Sequence, residues 1–322
     1  MNDYFDNTDM PDSIIFTIGE LKTLNGFASV VKRVLEKEYP YAHITIAPHT
    51  KNNNLHLLGL TIADMNYNMA PTIYLDSFYQ NYKNGKPLTE ICEHISKIYS
   101  NSKPSSDFPI DFYTCFENIS SQICYKLINY EANKNSLQHR PYVPYLDFAI
   151  VFYIMVSEDN LSGHIDISNN MMKTWQISSA FDLFHYAHEN TEKLLGFSYG
   201  PMLDFMQNLL PVGISPDEWN ELFENSDPYT YIATTNNKID GACCILFENA
   251  LEKLVDAIGG NFYILPSSLH EVICIPYSDD IDVACLRNMV IEVNCQEVRD
   301  DEILSDHVYL YNEVTNKITI CQ

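Results

Sequence analysis

The chain has 322 residues, enough to bury a large core and to form two domains. Hydrophobic residues make up 46% and charged residues 19%, which is a globular composition and excludes a disordered chain. Asp and Glu number 43 against 19 Lys and Arg, a formal charge of −24 that repels phosphate backbones and argues against direct nucleic-acid binding.

Two readings of the acidity follow. In one, the carboxylates are the solvated surface of an acidic cytoplasmic protein. In the other, they imitate nucleic acid and occupy a nucleic-acid-binding protein. The nine cysteines include no CxxC pair and fall mostly in apolar runs, so they read as reduced thiols rather than as zinc ligands. The first residues are acidic and lack the basic region of a signal peptide. The longest apolar run, residues 148–156, is far too short to cross a bilayer. These features predict a cytoplasmic chain with no membrane contact.

In chain order, residues 1–16 form an acidic leader. Residues 18–38 carry Leu21, Leu24, Phe27, Val30, Val31 and Val34 at helical spacing, and Pro40 closes the helix. Strands are predicted over 43–47 and 55–62 around a polar Asn-rich turn. Residues 71–79 fit a third strand or a helix entry, and 88–99 an amphipathic helix. A first block over 17–100 thus reads α-β-β-β-α. Residues 100–108 are rich in Ser and Pro and suit a linker.

A second block spans 110–200. Phe112, Phe116, Ile119, Ile123, Leu127 and Tyr130 predict one long helix over 111–133. A buried strand over 148–156 and a partner over 163–168 follow, then helices over 171–175 and 180–195. Residues 198–227 are interrupted by Pro and Gly, with a short helix near 216–223 and a second possible boundary.

The third block, 229–322, is the most legible. Residues 231–234 and 242–246 predict a β-hairpin across the Asn/Asp/Gly-rich turn 236–241. Asn249 is placed to cap a helix carrying Leu251, Leu254, Val255 and Ile258, which Gly259-Gly260 ends. Strands over 262–265 and 272–275 form a second hairpin, 282–295 a helix, and 308–311 with 317–321 a closing hairpin. Residues 148–195 and 229–259 share the order strand, turn, strand, helix, a topological echo of a repeat. The predicted class is α+β, with small antiparallel sheets built from hairpins and each covered by helices.

Chemistry is signalled weakly. Neither a dinucleotide-binding nor a phosphate-binding glycine loop is present, and no cofactor is indicated. His185 and His188 lie three apart on a predicted helix, near Glu189 and Glu192, and could share a metal; an exposed helix face explains them equally well. Ser267, Ser268, His270 and Glu271 combine hydroxyl, imidazole and carboxylate. A triad, however, needs its members to converge from separate segments, and a polar turn satisfies the same residues. His139 and Arg140 could hold an anion or cap a helix. Asp306-His307 reads as a capping turn, and His49 and His56 flank an exposed turn.

Seven stretches carry a family resemblance: LHLLGLTI (55–62), APTIYLDSFYQNYKNGKPLTEI (70–91), LINYEANKNSL (127–137), HRPYVPYLDFAIVFYIMV (139–156), IATTNNKIDGACCILF (232–247), FYILPSSLHEVICIP (262–276) and LSDHVYLYNEVTNKI (304–318). Together they resemble a bacterial family found mainly in anaerobic gut Clostridia and known only as a domain of unknown function. The C-terminal half is more distantly similar to a second such Firmicutes family. The resemblance implies a cytoplasmic bacterial α/β protein and supplies no reaction, ligand or catalytic residue.

Three functions remain open at this level. The first is a non-catalytic protein-interaction or regulatory module meeting a partner with a basic surface. The second is a hydrolase that draws His and carboxylates from different segments. The third is an acidic nucleic-acid mimic.

Overall fold

In a computed structural model, residues 19–104, 106–158, 161–207, 230–266 and 268–321 are described. The predicted leader over 1–16 and helix near 216–223 lie outside them. The chain forms two compact units, one built from Leu55–Ile110 and the described residues before Asn52, the other mainly from Asp111–Glu158 and Ser162–Gln322.

In the first unit, Thr23 breaks the predicted 18–38 helix. A 3-10 turn over Glu20–Lys22 comes before it, and α1 (Leu24–Glu38) follows, with the Thr23 hydroxyl accepting from Gly26 N. Strands β1 (Ala42–Thr50) and β2 (His56–Asp64) form a hairpin, and Asn53 and Asn54 supply the positive φ of its turn. Strand β3 (Thr72–Tyr74) completes an antiparallel sheet in the order β1-β2-β3. Helix α2 (Asp76–Lys83) follows at once, so 71–79 is both strand and helix entry. Helix α3 (Leu88–Ser102) runs past the predicted end. Phe27, Val31 and Leu35 of α1 and Ile91 and Ile95 of α3 pack with Ile44, Leu60 and Ile62 of the sheet to make the core.

In the second unit, the long helix predicted over 111–133 does not form. Two short helices, α4 (Ile110–Thr114) and α5 (Phe116–Ile119), and a 3-10 turn lead into strand β4 (Ile123–Asn129). Ile123, Cys124, Tyr125, Leu127 and Ile128 are all buried, so both faces are covered, which suits a strand between layers better than a one-sided helix. After α6 (Lys134–Leu137) comes β5 (Tyr142–Tyr145), a strand the sequence reading did not identify. Strand β6 (Phe148–Glu158) pairs with β4, β5 and β7 (Leu161–Asp166). Helices α7 (Asn169–Thr174) and α8 (Ala180–Leu195) follow, and α8 begins in a capping box between Ser179 and Asp182.

The remaining sheet has six antiparallel strands in the order β13-β12-β10-β11-β9-β8. They are β8 (Ser198–Pro201), β9 (Tyr231–Thr234), β10 (Phe262–Leu265), β11 (Glu271–Pro276), β12 (Tyr309–Asn312) and β13 (Lys317–Ile320). Helix α9 (Met202–Gln207) follows β8. The strand predicted over 242–246 is instead a 3-10 segment, Gly241–Leu246, with residues 241–245 all buried. A side chain at Gly241 would collide with Thr234 Oγ1 and the His270 carbonyl, so the chain approaches its neighbours there too closely for any residue but glycine. The echo of a repeat fails at the same place, because 229–259 contributes one strand where 148–195 contributes two. Helix α10 (Ala250–Ile258) ends at Gly259 and Gly260, both with positive φ, as predicted. Asn249 does not cap it with its side chain; it takes a left-handed backbone instead. Helix α11 (Val283–Gln296) lays Leu286 and Val290 against Tyr263 and Leu265 of the sheet. The class is α+β, with several small antiparallel sheets and packed helices, as predicted.

Candidate functional site

All the predicted catalytic and anion-binding candidates lie in the second unit. In the turn between β10 and β11, the Ser268 hydroxyl donates to Glu271 Oε1 at 2.9 Å and accepts from the His270 backbone N–H at 3.0 Å. The His270 ring turns elsewhere: its Nδ1 accepts from Asp240 N at 3.2 Å. The neutral ring therefore carries its proton on Nε2, which stands 3.6 Å from Glu302 Oε1. Hydroxyl and imidazole are thus held apart, where a triad requires them joined.

His139 is exposed and is held through its backbone, whereas Arg140 reaches Asp166 with both terminal nitrogens, at 3.2 and 3.3 Å. Asp166 in turn lies 3.8 Å from His164 Nε2. Lys126 Nζ stands 3.4 Å from the same His164 nitrogen, 3.9 Å from Asp240 Oδ2 and 5.7 Å from the Tyr153 ring. A polar chain therefore runs Arg140, Asp166, His164, Lys126, Asp240, His270, Glu302. Burial, and next the Lys126 ammonium, hold His164 below its ordinary value. Burial alone would raise Asp166, but Arg140, Lys126 and His164 together outweigh it and keep that carboxyl low. At its centre the chain joins two cations, Arg140 and Lys126, to two carboxylates, Asp166 and Asp240, and is neutral.

A second cluster surrounds Asp147. Its Oδ1 accepts from the Tyr309 hydroxyl at 2.6 Å, and its Oδ2 accepts from Ser305 Oγ at 2.8 Å and faces His307 Nδ1 at 2.9 Å. Ser305 is 1% exposed and lies 3.3 Å from that same Nδ1. Serine, histidine and aspartate meet here, yet the serine faces the wrong ring nitrogen to hand its proton to Nε2. Burial, followed by the bond to Asp147, raises Tyr309 far above the ordinary phenol range. Sequence reasoning took Asp306-His307 as a simple capping turn and passed over Asp147, Ser305 and Tyr309. The spacing of Ser305, His307 and Tyr309 along one strand entry, period two, was the available signal.

His185 and His188 part company. His185 is exposed beside Tyr186, while His188 stacks over Tyr125 at 6.4 Å between ring centres. The His188 Nδ1 and the Tyr125 hydroxyl are buried with no partner among the described residues. No group of three or more His, Cys, Asp or Glu among the described residues is placed to hold a metal ion. In the first unit, His49 packs edge-on to Tyr74, and His56 Nδ1 lies 3.1 Å from Thr50 Oγ1.

No described helix is long and apolar enough to cross a membrane. Comparison with curated proteins and with solved structures returns no match. A family match covers residues 24–313, nearly the whole chain, and on that coverage the chain belongs to the family of unknown function DUF5688.

Proposed function

We propose that this chain is a non-catalytic protein-interaction or regulatory module of a bacterial cytoplasm, meeting a partner with a basic surface. One observation carries the reading. The polar groups of these clusters are engaged with one another: Ser268 with Glu271, Arg140 with Asp166, and Asp147 with Ser305, His307 and Tyr309. The basic side chains Lys32, Arg33, Lys103, Lys134 and Arg299 are likewise paired to carboxylates, and the 43 acidic residues against 19 basic ones give the chain a net charge of −24. Such an excess steers a basic partner and sets the salt dependence of its binding.

The test is capture from native lysate on the immobilised chain, washed from about 50 mM to about 500 mM salt, a range over which surface charges become screened. A stoichiometric partner with a basic surface, released as salt rises, is expected. A partner that binds nucleic acid at the same face would turn the reading into the mimic. Retention that ignores salt would sink the proposal, and so would a bound metabolite with no protein partner.

A further inference from the structure

Three elements of the second unit bring aromatic rings together at the surface. Phe116 opens α5, Trp175 directly follows α7, and Tyr186 lies in the middle of α8. The Phe116 ring centre lies 5.9 Å from that of Trp175 and 5.1 Å, edge to face, from that of Tyr186. The Trp175 Nε1–H donates to the Thr114 carbonyl at 3.1 Å, which anchors the indole. The group is not sealed: Tyr186 is 43% exposed, and Phe181, earlier on the same helix, is 67% exposed. Aromatic side chains that share one stretch of surface, rather than standing singly, mark an interaction site.

The stripe of α8 that carries Tyr186 is acidic. Asp182 lies four residues before Tyr186 and Glu189 three after it, so helical spacing puts one carboxylate a turn before the phenol ring and one a turn after it. Both residues are exposed. Asp182 Oδ2 accepts from the Ser179 N–H at 3.0 Å as part of the helix cap, and neither carboxylate is ion-paired among the described residues. An aromatic surface between two such carboxylates is complementary to a cation with a flat face. Guanidinium meets both demands, because it stacks on aromatic rings and forks its N–H groups onto carboxylates. Ammonium is a compact, more strongly hydrated point charge that suits the carboxylates but does not stack.

We infer that the aromatic face of α5, α7 and α8 binds an arginine-bearing segment of a partner protein, with a guanidinium stacked on Tyr186 between Asp182 and Glu189. The inference rests on the reading of the chain as an interaction module, and it names the face used and the side chain that the partner presents.

The probe is a short labelled peptide of alternating Arg and Gly, compared with a Lys–Gly peptide of equal length and charge, by fluorescence anisotropy on the full chain. The Arg peptide is expected to bind about tenfold more tightly than the Lys peptide. Glu189→Lys reverses an exposed charge beside Tyr186 and should weaken the Arg peptide about tenfold, whereas Glu292→Lys, the same change at an exposed position of α11, should stay within about twofold of the parent. Tyr186→Leu keeps an apolar contact for Phe116 but has no ring, and should erase the preference for Arg over Lys. No binding of the Arg peptide, equal binding of the two peptides, equal losses from Glu189→Lys and Glu292→Lys, or a preference that survives Tyr186→Leu would each overturn the inference. A salt-released partner captured equally well by the parent and by Glu189→Lys would also overturn it, while leaving the module reading intact.

Discussion

Asp147 accepts hydrogen bonds from a phenol, a hydroxyl and an imidazole, and all three reach it from Ser305, His307 and Tyr309 across a long sequence gap. Removing it takes the acceptor of Ser305 and one of the two acceptors of Tyr309, both residues 1% exposed, and leaves Tyr309 only the Ser305 hydroxyl. Asp147→Ala is therefore expected to destabilise the protein by about 3–5 kcal/mol, read as a shift in the denaturant midpoint at unchanged slope. A change below about 1 kcal/mol would show that water replaces the carboxylate. The residues marked by sequence behave differently. Ser268, His270 and Glu271 are adjacent in the chain and conspicuous; Ser268 bonds Glu271 within the turn, while the His270 ring turns to Asp240. Asp147, Ser305, His307 and Tyr309 were inconspicuous because nothing in a linear pattern brings position 147 to position 307. The packing of Phe148 against Tyr309 does so.

At the scale of elements, α8 protects the open edge of β4. Thr191 donates to the Ala187 carbonyl at 2.6 Å and accepts from Tyr125 N at 3.0 Å, and Asn190 donates to the carbonyls of Ser120 and Ile123. These bonds occupy strand groups that would otherwise template a further strand. Thr191→Val keeps the shape but orphans a fully buried N–H, and should cost about 1–3 kcal/mol. Faster amide exchange at Tyr125 is the local readout, and unchanged protection there would refute the role assigned to Thr191. Elements with a one-sided apolar stripe and clear stops were legible in sequence: α1, α3, α8, α10 and the β10–β11 hairpin. Two buried apolar runs were not. Residues 123–128 extended a helical spacing begun by Phe112 and Phe116, and residues 242–246 looked like a strand. A short run buried on every side has no periodicity to separate strand from helix. The deciding facts are tertiary: pairing with β6 in one case, and the tight approach of Gly241 to Thr234 and His270 in the other.

The whole molecule joins two compact units that differ in what holds them. The first is a three-stranded sheet under helices with one apolar core. The second adds two larger sheets and nearly all of the buried polar wiring described above. The distribution of thiols follows this division. All nine cysteines are unpaired. Cys115, Cys285 and Cys295 are exposed, whereas Cys92, Cys124, Cys243, Cys244 and Cys274 are buried. Burial pushes the Cys92 and Cys124 thiols up to about 12, so neither is a thiolate near neutral pH even if reagent reaches it. A disulfide reagent at pH 8 should therefore modify three cysteines quickly, Cys321 more slowly, and the other five only on unfolding. Rapid modification of any of the five in the native protein would contradict the packing. Cys92 alone among the five belongs to the first unit, and the other four belong to the second. The chain thus carries its own pair of clocks. Alkylation of Cys92 times the opening of one unit, alkylation of the other four times the opening of the second, and a single mass-spectrometric time course reads both without any added label.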